Sequence, residues 1–327
     1  MSHSSTNLQF IVQPGGSLRG NVRVPGDKSI SHRSIMLGSL AEGTTHVSGF
    51  LQGEDCLCTL KAFRAMGVQI EGPSDDGNVT IHGVGLHGLQ APSAELDMGN
   101  SGTSMRLMSG LMSGQAFDVR MTGDASLSKR PMKRVTVPLA SMGAEIDATE
   151  KGTPPLLVHG GRQLKGIHYA MPMASAQVKS SLLLAGLYAD GETSVTEPAP
   201  TRDHTERMLR GFGYEVKTEG NRISLQGGGK LTATDIDVPS DISSAAFFMV
   251  GASIAEGSDL TLQHVGINPT RTGIIDILRL MGANLQLLNE REVGGEPVAD
   301  IRVRSAQLKG IQIPEELERG LSTSARM

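Results

Sequence analysis

The sequence contains no tryptophan and only ten other aromatic residues, three tyrosines and seven phenylalanines. Proteins that bind bases or sugars commonly stack them on aromatic side chains, so this scarcity argues against such a surface. Charge of one sign is not in excess either, because 30 Lys and Arg residues face 34 Asp and Glu residues, a net charge of −4. We therefore expect no nucleic-acid partner, and any anion site must be local rather than spread over the surface.

Long apolar runs and cysteines are scarce as well. No run approaches the roughly 18 apolar residues that a membrane-spanning helix needs, and Met1–Asn7 is short and polar, unlike a secretory signal. The two cysteines, Cys56 and Cys58, are too few for a disulfide framework and have no clustered partners that would complete a metal site. We expect a cytoplasmic protein with free thiols, no membrane contact and no metal.

Glycine, by contrast, is abundant, with 41 residues, and it marks an internal repeat. A helical segment that ends in Gly and runs into a strand occurs four times, and successive glycines lie 76, 70 and 69 residues apart. Glycine suits the left-handed position that ends a helix. The pattern predicts similar α/β units packed around a common axis. The four segments are Phe63–Ile70, Leu139–Ile146, Leu209–Val216 and Leu278–Leu285.

Each unit also opens its first helix with small polar residues. The free N–H groups and the positive dipole end of a helix start favour a bound anion. If the units pack around an axis, these starts would converge on one cleft without requiring a large net charge. Capping alone explains the Ser and Asp residues, but not Lys28, Arg33 or Gln177. The four starts are Lys28–Ser31, Gly99–Ser104, Ala174–Gln177 and Ser240–Ser244.

Three loops that precede the second helix of a unit add cations. Each places an Arg beside Pro or within a turn, where a planar guanidinium can meet a carboxylate or a phosphate. A solvated basic turn is the alternative for each loop taken alone, and their shared position in the repeat favours binding. The loops are Leu127–Arg134, Pro200–Thr205 and Asn268–Gly273.

Several of these segments resemble the 5-enolpyruvylshikimate-3-phosphate synthase family and occur in the family's order, from about Gly15 to Leu317. The resemblance implies an α/β (α+β) protein with the enolpyruvyl-transferase fold. In that fold two pseudo-threefold domains, each made of three similar units, close around the substrates. The matching segments are Pro25–Arg33, Gly99–Arg106, Gly123–Pro131, Ser175–Ser181, Thr201–Thr205 and Asn268–Arg271.

The resemblance also implies where the chain passes between the domains. It would begin in one domain, cross to the second near Pro25–Gly26 and return near Pro239–Ser240, and these crossovers would act as hinges. Residues 1–25 with 240–327 would form the first domain, and residues 26–239 the second, with its three units complete. A monomer is the family expectation.

The implied reaction transfers the enolpyruvyl group of phosphoenolpyruvate to the 5-hydroxyl of shikimate 3-phosphate, releases phosphate and uses no metal or organic cofactor. Lys28 would be catalytic, because an ammonium between the substrates stabilises developing charge. Gly102 would leave room for phosphoenolpyruvate, and a side chain there should crowd it or the inhibitor glyphosate. The implied shikimate 3-phosphate residues are Lys28, Ser29, Arg33, Ser175, Ala176, Gln177 and Arg202; the phosphoenolpyruvate residues are Lys28, Asn100, Gly102, Arg130 and Gln177.

The sequence departs from the family after Leu317. Family members usually continue into a segment with a catalytic Asp, a Lys-Glu-Ser-Asp-Arg motif and further basic residues, and Glu318–Met327 matches none of these. The sequence alone thus predicts an incomplete first domain and little activity. One alternative is a non-catalytic remnant that binds shikimate 3-phosphate. Another is the UDP-N-acetylglucosamine enolpyruvyl transferase family, whose Cys before an Arg-Pro is absent from Ser126–Pro131.

Overall fold

Helices and short strands alternate along the chain in the computed structural model, which describes residues 11, 13 and 15–314. The segment after Leu317, on which the expectation of little activity depends, lies outside the described residues. The helices are α1 (Lys28–Leu40), α2 (Glu54–Ala65), α3 (Gly102–Ser113), α4 (Lys133–Ser141), α5 (Ala176–Gly186), α6 (His204–Gly211), α7 (Ile242–Ile254) and α8 (Gly273–Leu280). The strands are β1 (Arg19–Val22), β2 (Ala41–Ser48), β3 (Gln69–Glu71), β4 (Val79–Val84), β5 (Leu96–Asp97), β6 (Val119–Thr122), β7 (Glu145–Asp147), β8 (Leu156–His159), β9 (His168–Ala170), β10 (Glu192–Thr196), β11 (Lys217–Glu219), β12 (Arg222–Gln226), β13 (Leu231–Thr232), β14 (Ile236–Asp237), β15 (Asp259–Gly266), β16 (Asn284–Val293) and β17 (Glu296–Arg304).

The strands form four sheets of one topology, ordered β1-β15-β17-β16, β13-β2-β4-β3, β5-β6-β8-β7 and β9-β10-β12-β11. In the second sheet β14 is a fifth strand, which pairs parallel with β2. In each sheet an edge strand runs parallel to its neighbour, and the other two strands pair antiparallel. Each sheet carries two helices, so one unit reads strand, helix, strand, helix, strand, strand. The predicted repeat is confirmed, and the structure adds the leading edge strand. In the first unit this strand is β13, which is distant in sequence.

The predicted helix ends and starts are confirmed residue by residue. The repeated glycines that follow the second helices take left-handed φ angles, where a side chain would be strained. The first helices are capped by Asp27, Ser101, Ser175 and Asp241, whose side-chain oxygens accept hydrogen bonds from first-turn amides. The glycines are Gly67 (+87°), Gly143 (+97°), Gly213 (+78°) and Gly282 (+89°).

The buried apolar side chains form separate cores, and the limits of these cores agree with the domain limits implied by the family resemblance. One core unites Val24 with residues 242–303, around β1 and β15 to β17. The others draw on residues 30–238 and hold α1, α3 and α5 side by side. We propose on this basis the division into residues 1–25 with 240–327 and residues 26–239. Residues 1–10, 12, 14 and 315–327 of the first part lie outside the described residues.

The two crossovers lie against each other. The Asp27 amide donates to the Pro239 carbonyl at 2.7 Å, and the Asp241 amide donates to the Pro25 carbonyl at 2.9 Å. Gly26 and Ser240 form the bridge between these two bonds. A Cβ atom on Gly26 would come within 2.1 Å of the Gly49 carbonyl oxygen, which is backbone and cannot move aside easily. Glycine is therefore required here for close approach.

Replacing Gly26 with Ala should lower the free energy of unfolding by about 1–3 kcal/mol, because the added methyl group overpacks the crossover. Gly310→Ala is the matched control, since a Cβ atom there meets nothing within 4 Å. Urea unfolding of both variants measures the difference. Equal stability of the two variants would contradict the packing assigned to the crossover.

Candidate active site

The starts of α1, α3 and α5, one from each of three units, lie together. Arg33 in α1 donates to Ser180 Oγ in α5 at 2.8 Å. Gln177 in α5 donates to Thr103 Oγ1 in α3 at 3.1 Å. Convergent N-termini sum the positive ends of their dipoles. The convergence expected from the repeat is thus present for the starts of α1, α3 and α5.

A first candidate anion site, hereafter the first anion site, is defined as Ser29, Arg33, Ser180, Arg202 and Thr205 and lies between α1, α5 and α6. The Arg33 guanidinium donates to Thr205 Oγ1 at 2.7 Å, to the Ser29 carbonyl at 2.9 Å and to Ser180 Oγ. Arg202 donates to Ser29 Oγ at 3.4 Å. Three of the residues expected for shikimate 3-phosphate, Ser29, Arg33 and Arg202, are therefore brought together.

Burial destabilises the positive charges of the arginines in the first anion site. Arg33 is only 5% exposed, and burial lowers the pKa of its guanidinium to about 10. Burial also lowers the pKa of Arg202, and the nearby charge of Arg271 adds to that shift. Both lowered pKa values mean that the site destabilises the charged guanidinium groups of Arg33 and Arg202. A phosphate dianion would relieve this repulsion and accept the planar donors.

A buried acidic cluster lies behind the first anion site. The Lys179 ammonium, 1% exposed, pairs with Glu206 at 2.7 Å and with Glu197 at 3.0 Å. Thr201 donates to Glu197. Because Lys179 belongs to α5 and the carboxylates flank residues 198–205, the cluster fixes the segment that carries Arg202 and Thr205.

Lys179 offers one positive charge for two carboxylates, so one carboxylate is undercompensated. Burial raises the pKa of Glu206, and Lys179 opposes that shift only in part. Glu206 Oε2 has no hydrogen-bond partner. Glu206 therefore holds a proton more readily than an ordinary exposed glutamate.

The raised pKa of Glu206 gives a signed pH dependence. Its stabilising contribution is fully present below the unfolded pKa of Glu, about 4.3, and is lost as pH rises through the higher folded value. Glu206→Gln should remove this loss, so the variant should gain stability relative to the parent protein as pH rises. The measurement is urea unfolding across pH 4–8. The exposed Glu219→Gln serves as the control, and parallel curves for Glu206→Gln and the parent protein would contradict the assignment.

A second candidate anion site, hereafter the second anion site, is defined as Asn100, Gly102, Arg106, Arg130 and Gln177 and surrounds the start of α3. Arg130 donates to Asn100 Oδ1, and Asn100 Nδ2 donates to Asp124 at 2.6 Å. Arg106 donates to Gln177 Oε1 at 2.7 Å. The residues expected for phosphoenolpyruvate, apart from Lys28, are thus brought together, and Gln177 joins them to α5.

Gly102 lies close to two guanidinium groups of this site. A Cβ atom there would lie 3.0 Å from Arg130 Nη1 and 3.1 Å from Arg106 Nη1. Burial lowers the pKa of Arg106 to about 10, and Arg134 and Arg130 add to that shift. A side chain at position 102 would therefore crowd both guanidinium groups.

The remaining expected site residues lie at the edges of these groups. Lys28 Nζ pairs with Asp55 at 2.8 Å, and the Lys28 amide donates to Asp241 at 3.4 Å, so its bonds run to neither anion site. Ser175 caps α5 by accepting from the Val178 amide at 3.4 Å. Ala176 begins that helix.

The fourth helix start differs in chemistry. Arg271, from the third basic loop, pairs with Asp27 and, at 3.0 Å, with Asp241. Burial acts in the opposite direction, but the two carboxylates raise the pKa of Arg271. Arg271 thus meets a carboxylate, as one sequence interpretation allowed, but the carboxylates are the chain's own helix caps. It ties α7 to α1 at the crossover.

Sequence reasoning assigned no role to Arg106, Ser180 or Thr205. Each lies inside a segment used for the resemblance, but spacing alone does not mark it. Arg106 had one available signal, because it follows Gly102 by four residues and so shares its helix face. Ser180 lies in the first helix and Thr205 in the second helix of one unit, and their 2.7 Å contact depends on tertiary packing.

The two cysteines are free, with Cys56 buried and Cys58 half-buried. Burial raises the pKa of the Cys56 thiol to about 12, so it is not a reactive thiolate. Among residues 11, 13 and 15–314, no group of three or more His, Cys, Asp or Glu side chains could hold a metal ion. No helix in this part of the chain is long and apolar enough to cross a membrane.

Comparison with known proteins decides between the families considered. A sequence profile described as EPSP synthase (3-phosphoshikimate 1-carboxyvinyltransferase) matches residues 12–324. The chain belongs to the EPSP synthase family. A 3-phosphoshikimate 1-carboxyvinyltransferase of Methylococcus capsulatus is 71% identical over 309 residues, which cover 94% of this chain and 70% of the relative. The relative of the same name from Hydrogenovibrio crunogenus is 69% identical over 318 residues, covering 96% and 71%.

Solved structures agree with the sequence comparisons. An EPSP synthase structure from Acinetobacter baumannii superimposes with a TM-score of 0.89 at 68% identity, and the match covers 94% of this chain and 70% of that chain. The enolpyruvyl-transferase fold is therefore confirmed. As an EPSP synthase family member, the chain is a transferase of the shikimate pathway and of aromatic amino-acid biosynthesis.

Proposed function

We propose that the first anion site binds shikimate 3-phosphate and the second binds phosphoenolpyruvate, with Lys28 and Gln177 between them. The observation that carries this proposal is the convergence of three helix starts with four arginines, Arg33, Arg106, Arg130 and Arg202. Each substrate carries a phosphate, and guanidinium groups with helix N-termini bind phosphate well.

The family's reaction is an addition followed by an elimination. The 5-hydroxyl oxygen of shikimate 3-phosphate bonds to C2 of phosphoenolpyruvate, its proton is taken up by a base, and a proton adds to C3. The resulting tetrahedral ketal then loses phosphate from C2 and a proton from C3, which restores the double bond. No redox partner is needed, because no atom changes its oxidation state overall.

The chain's own residues supply binding and charge stabilisation in this scheme. Arg33 and Arg202 hold the sugar phosphate against Ser29, and Ser175 and Ala176 bound the same substrate at the start of α5. Arg130 and Asn100 orient the phosphate that leaves, and Gly102 gives it room. Lys28 stabilises the charge that develops between the two substrates when it exchanges its contact with Asp55 for the reacting atoms.

We also propose a cellular location and an oligomeric state for the protein. Two thiols without a disulfide suit a reducing compartment, so we place the protein in the cytoplasm. Each helix start of both anion sites comes from the same chain, so a monomer can assemble them.

Calorimetric titration of two variants with each substrate tests the assignment. Arg202→Gln should weaken shikimate 3-phosphate binding at least about tenfold, because it removes one charge-assisted contact, and leave phosphoenolpyruvate binding nearly unchanged. Gly102→Ala should do the reverse, since the methyl group enters the space between Arg130 and Arg106. Phosphate release with both substrates present measures turnover in the same samples.

Two controls separate site effects from unfolding. Arg120→Gln removes an exposed arginine that pairs with Glu95 at 3.3 Å, and Gly310→Ala adds a methyl group in open space. Both should bind like the parent protein. Equal losses of both substrates in each site variant, or no loss in either, would reject the two-site assignment.

A further inference from the structure

A chain of buried polar side chains crosses from α1 to α3 through α2. His32 Nδ1 lies 2.8 Å from Thr59 Oγ1, which lies 2.7 Å from Ser104 Oγ, and that hydroxyl donates to Ser101 Oγ at 2.7 Å. All four side chains are fully buried. This hydrogen-bonded series, hereafter the relay, begins one residue before Arg33 and ends one residue before Gly102. It therefore joins the elements that carry the two anion sites without belonging to either site.

The donor in each of these hydrogen bonds follows from the bond between Ser104 and Ser101. Ser104 uses its one hydroxyl proton on Ser101, so its longer contact with His32 Nδ1, at 3.4 Å, also needs a proton from the ring. The 2.7 Å contact between Thr59 and Ser104 then needs the Thr59 proton. With that proton used, Thr59 can only accept from His32, so Nδ1 must carry hydrogen. Every contact receives a proton only if His32 is the Nδ1–H tautomer and donation runs from α1 towards α3.

The state of His32 agrees with this direction. Burial lowers the pKa of its imidazole to about 3, with Arg33 adding to the shift, so the ring carries one proton at neutral pH. Its Nε2 atom is buried and has no hydrogen-bond partner. If Nε2 carries no proton, it is a buried acceptor without a partner. The other tautomer would make Nε2 a buried donor without a partner, and Nδ1 could no longer donate to Thr59.

We propose that His32, Thr59 and Ser104 are positioning residues that hold the α3 start, and with it Asn100 and Gly102, in register with the α1 start. This inference rests on the proposed function of the second anion site. Ser101 caps α3 by accepting from the Ser104 amide at 3.1 Å, so the relay ends on the cap itself. The first anion site is held separately by the contacts of Arg33.

Thr59→Val and Thr59→Ser form a matched pair for the test. Valine keeps the shape but removes both hydrogen bonds, whereas serine keeps the hydroxyl. Thr59→Val should weaken phosphoenolpyruvate binding about tenfold, since two buried links are lost, and change shikimate 3-phosphate binding less than twofold. Thr59→Ser should bind both substrates like the parent protein. Equal losses of both substrates in Thr59→Val, or no rescue by serine, would overturn the positioning role.

Amide hydrogen exchange gives a readout that needs no substrate. In Thr59→Val the Ser104 amide should exchange at least about tenfold faster, because the Ser104 hydroxyl that donates to the Ser101 cap loses its buried bond to Thr59. In Thr59→Ser it should not change. The Val178 amide, held by the Ser175 cap in the same way, is the internal reference and should stay constant in both. Unchanged exchange at Ser104 would contradict the inference.

Nitrogen NMR of labelled histidine tests the direction of the relay. The His32 signal, identified by its loss in His32→Asn, should show a protonated Nδ1, an unprotonated Nε2 and no titration between pH 5 and 8. A protonated Nε2 would overturn the inference. If the parent protein bound neither substrate, the proposed function would fail, while exchange and tautomer would still decide whether this relay holds the α3 start.

Discussion

Helices α1, α3 and α5 direct their N-termini at one region, and much of the structure serves to make that concentration of positive potential tolerable. Burial lowers the pKa values of Arg33, Arg106 and Arg202. Groups in this condition are stabilised by an anion among them. The requirement comes from the repeat itself, because three copies of one unit around an axis bring their helix starts together. A net charge of −4 is compatible with this, since the potential is local.

Buried carboxylates behind the arginines balance the remaining charge. Lys179, Glu197 and Glu206 fix the segment with Arg202 from one side. Asp27 and Asp241 serve at once as helix caps and as partners of Arg271, which joins the two crossovers. Removing Lys179 or Arg271, the single cation of either group, would leave its two carboxylates without a partner charge, at a cost of about 3–5 kcal/mol. The acidic groups therefore hold the anion sites in shape without entering them.

The repeat, the helix starts and the glycine ends could be predicted because each depends on local chemistry that recurs in phase. The partner of β2 could not, since β13 and β14 lie almost 190 residues further on and pairing over that distance leaves no local pattern. Likewise Arg271 matched the pattern of a ligand-binding arginine. Its contacts with Asp27 and Asp241 depend on how the crossovers meet. The relay from His32 to Ser101 joins three helices, and its members look like ordinary core and cap residues in sequence.

The central claim is that the helix starts of separate units form two adjoining substrate sites. Hydrogen exchange mass spectrometry with each substrate tests it most directly. Shikimate 3-phosphate should slow exchange in residues 28–33, 175–180 and 201–205, and added phosphoenolpyruvate should extend the protection to residues 100–106 and 126–131. Protection confined to residues 242–304, or unchanged exchange at the starts of α1, α3 and α5, would contradict the account.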